Sequence, residues 1–126
     1  MKYSINKDGG IAIMELQEDN LNSLIAPSLK SELIILKNEG FKIIILNLSQ
    51  VKYIDSSGLS AVLTGVRMWG EGGLFLLAAI ESPMVKKLIE ISKLDTVLNI
   101  KEDLEQAIEY AKSYEEDLDM LEESDN

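Results

Sequence analysis

The sequence contains no cysteine and no histidine. That removes disulfides, thiolate nucleophiles, Cys/His zinc sites and imidazole general-base chemistry together, so a Ser-His-Asp hydrolase is excluded. Any metal would have to be a hard ion held by carboxylates, and no Asp/Asn-rich loop of the calcium-binding type is present; neither metal nor cofactor is expected. A phosphate-cradling Gly-x-x-x-x-Gly-Lys loop is missing too. No nucleophile–base pair can be assembled except through lysines or carboxylates, and the chain is therefore not expected to be an enzyme. Long apolar runs are also missing: the longest, Gly72 to Ile80, is strand-sized, which argues against direct membrane insertion. The first eight residues lack the apolar middle of a secretory signal, pointing to a cytoplasmic protein. Basic excess is the last absence. Lys and Arg number 12 against 22 Asp and Glu, for a net charge of −10. Seven acids (Glu115, Glu116, Asp117, Asp119, Glu122, Glu123, Asp125) fall in the last 12 residues without a base, and the other 114 residues carry 15 acids against 12 bases with no basic stripe. Binding to nucleic acid or to an anionic membrane surface is disfavoured on both counts.

What is present suits one soluble globular domain. The chain has 126 residues, 46% of them apolar and 27% charged, enough to bury roughly two-thirds of the unfolded surface in a single core. Asp8-Gly9-Gly10 between apolar-rich stretches is a hairpin signal, so the sheet opens with an antiparallel pair. A polar, turn-rich stretch from Glu18 to Ser23 follows. Pro27 is placed to start a helix and Gly40 to stop it, with Leu29, Leu33 and Leu36 at helical spacing between them. Ile43 to Leu48, apolar but for Asn47, is too short for a helix and has the pattern of a central strand buried on both faces.

The chain alternates from there. Leu59, Val62, Leu63, Val66 and Trp69 keep a helical period, and Trp69 reads as core packing. Gly72-Gly73 breaks the helix before a second buried strand, Leu74 to Ala78. Ser82-Pro83 is an N-cap followed by a first-turn proline, opening a short helix whose inner face is assigned to Met84, Leu88 and Ile91, with Lys86 and Lys87 in solvent. Val97 to Ile100 is a strand candidate. Asp103 with Gln106 resembles a capping box for a last helix built on Leu104, Ala107, Ile108 and Ala111. Beyond residue 112 the acids oppose the helix macrodipole, and residues 113–126 read as an acidic tail, partly helical or disordered, in which Leu118, Met120 and Leu121 offer a docking face. Helix–strand–helix alternation gives parallel pairing through crossovers, and hence an α/β fold: a mixed, mostly parallel sheet opened by a hairpin and packed with about four α-helices.

The organising stretch is residues 51 to 66, where an apolar β-type run passes into a helix through Asp55, Ser56, Ser57 and Gly58. Free backbone N–H groups at such a helix mouth favour negative charge, so a hydroxyl there suits a phosphate. Asp and Ser are equally the favoured capping types, and a plain cap accounts for the same residues.

Tyr53-Ile54-Asp55-Ser56-Ser57-Gly58-Leu59 resembles the signature turn of STAS domains, the fold of bacterial anti-sigma factor antagonists and of the cytoplasmic ends of sulfate transporters. Ile43 to Leu48 with its Asn-Leu ending, Gly72-Gly73-Leu74, and Val85-Lys86-Lys87-Leu88 followed by Leu94 and Asp95 extend the resemblance over roughly residues 5 to 112, so residues 1–112 form the STAS-type domain. The resemblance implies an antagonist that holds an anti-sigma factor with serine kinase activity while unphosphorylated. Phosphorylation of Ser56 releases that partner, a serine phosphatase reverses the step, and transcription is regulated. Asp55, Ser56, Ser57 and Gly58 would meet the partner, as would Asn22 and Ser23 on the preceding loop, where this chain has Leu21-Asn22 in place of the Leu-Asp of many relatives. The alternative is a STAS scaffold or accessory subunit of a transporter or signalling complex that is never phosphorylated.

Overall fold

The Asp8-Gly9-Gly10 turn folds as its glycines require, with Gly9 at φ +60°, a region that L side chains rarely occupy. It joins β1 (Tyr3–Asp8) to β2 (Ile11–Leu16), paired antiparallel from Tyr3 opposite Leu16 to Asp8 opposite Ile11. The computed structural model describes residues 1–124, the last two by their backbone only. The remaining main elements are β3 (Asn20–Leu21), α1 (Ala26–Asn38), β4 (Ile43–Asn47), β5 (Tyr53–Ile54), α2 (Ser56–Trp69), β6 (Leu74–Ala78), α3 (Pro83–Ile91), β7 (Asn99–Lys101) and α4 (Leu104–Ser124).

The main sheet has the order β1-β2-β4-β6-β7, and every pairing after the hairpin is parallel. Three crossovers step in the same direction, so crossovers of one hand put α1, α2 and α3 on one face of the sheet. Strand periodicity sorts the core accordingly. Ala12, Met14 and Leu16 of β2, Ile44 and Leu46 of β4, and Phe75 and Leu77 of β6 pack with Leu29, Leu33, Val62, Trp69, Val85 and Ile89. Their alternates, Ile11, Ile43, Ile45, Leu74, Leu76 and Ala78, face Ala107 and Ala111 of α4. Every residue of β4 and β6 is buried, which is why both strands read as apolar runs, broken only by Asn47 at the end of β4, whose Oδ1 accepts from the Ser49 N–H.

Helix ends follow local chemistry. The Ser82 oxygen accepts from the Val85 N–H (3.2 Å) and Asp103 Oδ1 accepts from the Gln106 N–H (2.8 Å), satisfying first-turn donors that would otherwise lack partners. Trp69 is buried, its Nε1–H donating to the Phe41 carbonyl at 2.8 Å.

Two expectations are corrected. Met84 is 59% exposed rather than core, and α3 packs through Val85 and Ile89 instead of Met84, Leu88 and Ile91. The helix carries two apolar stripes one residue apart, and spacing alone does not say which one meets the sheet. Val97 is exposed ahead of β7, which begins only at Asn99 after a single 3-10 turn at Leu94–Thr96. The last helix, α4, runs without a break through residue 112 into the stretch read as partly helical or disordered, of which residues 125 and 126 lie outside the described ones. Past residue 112, Glu115 Oε2 accepts from the Gly10 N–H (2.7 Å) and the Tyr114 hydroxyl donates to the Gly73 carbonyl (3.2 Å).

Candidate functional site

Beyond the carboxyl end of the main sheet, β3 and β5 form a two-stranded parallel annex, Asn20 opposite Tyr53 and Leu21 opposite Ile54. It carries the start of α2. The Asp55 N–H donates to the Leu21 carbonyl (3.2 Å), tying the cap residue to β3. Asp55 is the N-cap in extended conformation: its Oδ1 accepts from the Gly58 N–H at 2.9 Å and its carbonyl accepts from the Leu59 N–H at 2.9 Å. Ser56 and Ser57 are therefore the first two helical residues. Their N–H groups lie at the mouth of the helix, where the macrodipole favours an anion. Ser56 is exposed and Ser57 half-buried.

Gly58 is fixed by contact rather than by backbone angle. A Cβ built there would lie 2.2 Å from the Leu21 carbonyl oxygen and 2.9 Å from both Ile54 Cγ2 and Leu21 Cγ. Any side chain would drive α2 off the annex, so glycine sets how closely the serine-bearing turn approaches the preceding loop.

That loop is organised by Asn22. Its Oδ1 accepts from the N–H groups of Leu24 (3.0 Å) and Ile25 (3.3 Å), and its carbonyl accepts from Ala26 (2.7 Å), starting α1. An aspartate would accept the same bonds, so asparagine keeps the turn and removes one negative charge from the site. Ser23 is exposed and shares a depression with Ala26, Pro27, Lys30, Ser56, Ser57 and Ser60, where the mouths of α1 and α2 face each other. Ser23 and the serine turn thus come together; Asn22 supports the loop from the side and lines a separate polar hollow.

Two residues of the depression escaped the sequence reading. Lys30 is the single charged side chain among its lining residues, and Ser60 stands one turn into α2. Only the packing of α1 against α2 brings them to Ser56, and nothing local in the sequence signals it. The chemistry available is that of a nucleophilic or anion-bearing hydroxyl backed by N–H dipoles and one lysine. Among the described residues no three acids cluster as metal ligands would, and no helix is long and apolar enough to cross a membrane.

A mixed sheet with three helices on one face and one on the other, bearing a capped serine turn on a small parallel annex, defines a class of α/β domains that share this topology. The chain belongs to the STAS domain family, whose sequence profile matches residues 2–107. An anti-sigma factor antagonist from Mycobacterium paratuberculosis superposes with a TM-score of 0.79 at 17% identity, over 88% of this chain and 93% of that one. A sulfate transporter family protein from Wolinella succinogenes gives 0.72 at 22% identity, over 86% and 90%. The Bacillus cell fate determinant SpoIIAA, in its phosphorylated form, gives 0.66 at 20% identity, over 86% and 98%. At these identities the likeness is one of fold.

Proposed function

We infer that the chain is an anti-sigma factor antagonist switched by phosphorylation of Ser56. In this reading it is a non-catalytic cytoplasmic regulator of transcription that binds an anti-sigma factor with serine kinase activity, and a serine phosphatase resets it. The observation that carries the reading is the exposed Ser56 at the first position of α2, where the Asp55 cap accepts from the Gly58 N–H and leaves those of Ser56 and Ser57 to the helix mouth. SpoIIAA, a relative in fold, exists in a phosphorylated form, which supports a phosphate being compatible with this architecture.

The transfer itself is simple. Ser56 Oγ attacks the γ-phosphorus of ATP, the bond to ADP breaks, and the hydroxyl proton passes to a base on the kinase. The product carries about −1.5 to −2 charges. The helix mouth and Lys30 accommodate that charge while Asp55 opposes it, so the fold itself stays the same. A partner that closes over the turn must desolvate the dianion, and losing a few kcal/mol of affinity, about tenfold for each 1.4 kcal/mol, is enough to release it.

Incubation with the cognate kinase and ATP, read by mass spectrometry, is expected to add one phosphate to the wild-type chain and none to Ser56→Ala. Full labelling of Ser56→Ala would sink the reading. The likeness to a transporter-family STAS protein favours the second reading, a scaffold whose serine turn contacts its partner without modification. Under that reading Ser56→Ala and Ser56→Asp both retain function in cells, whereas under the switch the aspartate alone abolishes it.

A further inference from the structure

Helix α3 presents a second apolar stripe to solvent. Val85 and Ile89 are buried and hold the helix to the sheet; Met84 is 59% and Ile91 68% exposed, with half-buried Leu88 between them. Met84, Leu88 and Ile91 stand at positions i, i+4 and i+7, one straight row along the helix. With Tyr53 and Ile54 of β5 and with Lys87 they line a shallow groove of about 280 Å³. Scattered exposed apolar residues are ordinary, but Tyr53, Met84 and Ile91 exposed together in one groove, beside half-buried Ile54 and Leu88, form a patch that folding leaves uncovered.

Two features say what the groove accepts. Its lining is apolar except for Lys87, which has no ion pair among the described residues and sits on a chain of net charge −10. The groove also continues into the switch, because β5 leads directly to Asp55 and Ser56. We propose that this groove is a second contact for the anti-sigma factor kinase of the proposed function, a reading on which the inference rests, and that it takes an apolar helical segment bearing a carboxylate opposite Lys87. Helix-in-groove recognition lays the apolar face of one helix into a hydrophobic groove of this kind. A second copy docked groove to groove would bring Lys87 against Lys87, and nucleic acid would meet a single cation, so neither matches the groove as well. The division of labour follows: the Ser56 turn reads the phosphate, while the groove supplies apolar area that the phosphate does not alter.

The test uses the full chain and a purified anti-sigma factor kinase chosen because it labels Ser56 with ATP; if no such kinase labels Ser56, the proposed function and this inference fall together. With ADP replacing ATP, Met84→Glu and Ile91→Glu are expected to raise Kd at least about tenfold, the range of a contact at the centre of an interface. Lys87→Glu should raise it less and flatten its salt dependence. Ile34→Glu, at a comparably exposed position on α1, should leave Kd unchanged, and all four variants should melt within about 3 °C of wild type, as surface substitutions do. Unchanged Kd for Met84→Glu and Ile91→Glu with a kinase that labels Ser56 overturns the groove inference alone. So does a free chain that sediments as a dimer and becomes monomeric on Ile91→Glu, since a second copy then fills the groove.

Discussion

At the scale of single residues, the site depends on one hydrogen bond and one missing methyl group. The Asp55 cap was legible in the sequence because N-capping is local: the acceptor and the Gly58 N–H it satisfies are three residues apart. The role of Gly58 was not. Glycine in the first turn of a helix reads as permissive, and replacing it with alanine would ordinarily gain up to about 1 kcal/mol of helix propensity. Here the added Cβ would lie 2.2 Å from the Leu21 carbonyl oxygen, and overpacking of that kind costs about 1–3 kcal/mol. Gly58→Ala is expected to lower the melting temperature by several degrees and to weaken protection of the Asp55 amide, which donates to the same carbonyl. A melting temperature at or above wild type would show that β3 yields to the methyl at no cost. Lys30 was invisible for a related reason, since only the packing of two helices places it beside Ser56.

At the scale of elements, long and strongly patterned segments were legible and short ones were not. β4, up to Asn47, and β6 announced themselves as apolar runs because both faces are covered, and the hairpin did so through its glycines. β3 and β5, two residues each, carry no periodicity to detect, yet they form the annex that holds the serine turn. The inner face of α3 was misread because Met84/Leu88/Ile91 and Val85/Ile89 both satisfy a helical period, and only the sheet decides between them. The two stripes should separate in energy. Val85→Ala and Ile89→Ala remove fully or almost fully buried side chains and are expected to cost about 1–2 and 2–4 kcal/mol. Met84→Ala, at 59% exposure, should stay within roughly 0.5 kcal/mol of wild type. Denaturant melts of the three variants check this, and a Met84→Ala cost equal to that of Ile89→Ala would mean that the helix is rotated relative to the arrangement described here.

At the scale of the whole molecule, the parallel sheet gives the domain two poles. The serine turn lies past the carboxyl ends of β2 and β4, whereas α4 starts beyond β7 and runs back to the amino ends, where Tyr114 and Glu115 bond to Gly73 and Gly10. Strands of five residues separate these ends by about 17 Å. The described part of the acidic run therefore leaves the domain at the pole away from Ser56, and its charge, beyond a Debye length of about 8 Å in physiological salt, is screened from the serine turn. The sequence disclosed the acids but not their anchorage, because Glu115 and Gly10 are 105 residues apart. Two truncations distinguish anchor from overhang. Ending the chain after Glu115 removes six of the seven terminal acids and keeps both hydrogen bonds; its melting temperature should fall by no more than about 3 °C, the shift expected for under 1 kcal/mol in a domain of this size. Ending it after Lys112 also removes Tyr114 and Glu115 and leaves the Gly10 N–H without its carboxylate, which costs about 1–3 kcal/mol for a group that is not fully solvated. That chain should melt distinctly lower, and its Gly10 amide should exchange faster. Under the proposed function, kinase labelling of Ser56 should proceed equally in both, because the pole that carries the serine is intact. A slower rate in either truncation, with the fold preserved, would show that the acidic helix communicates with the serine turn across the sheet.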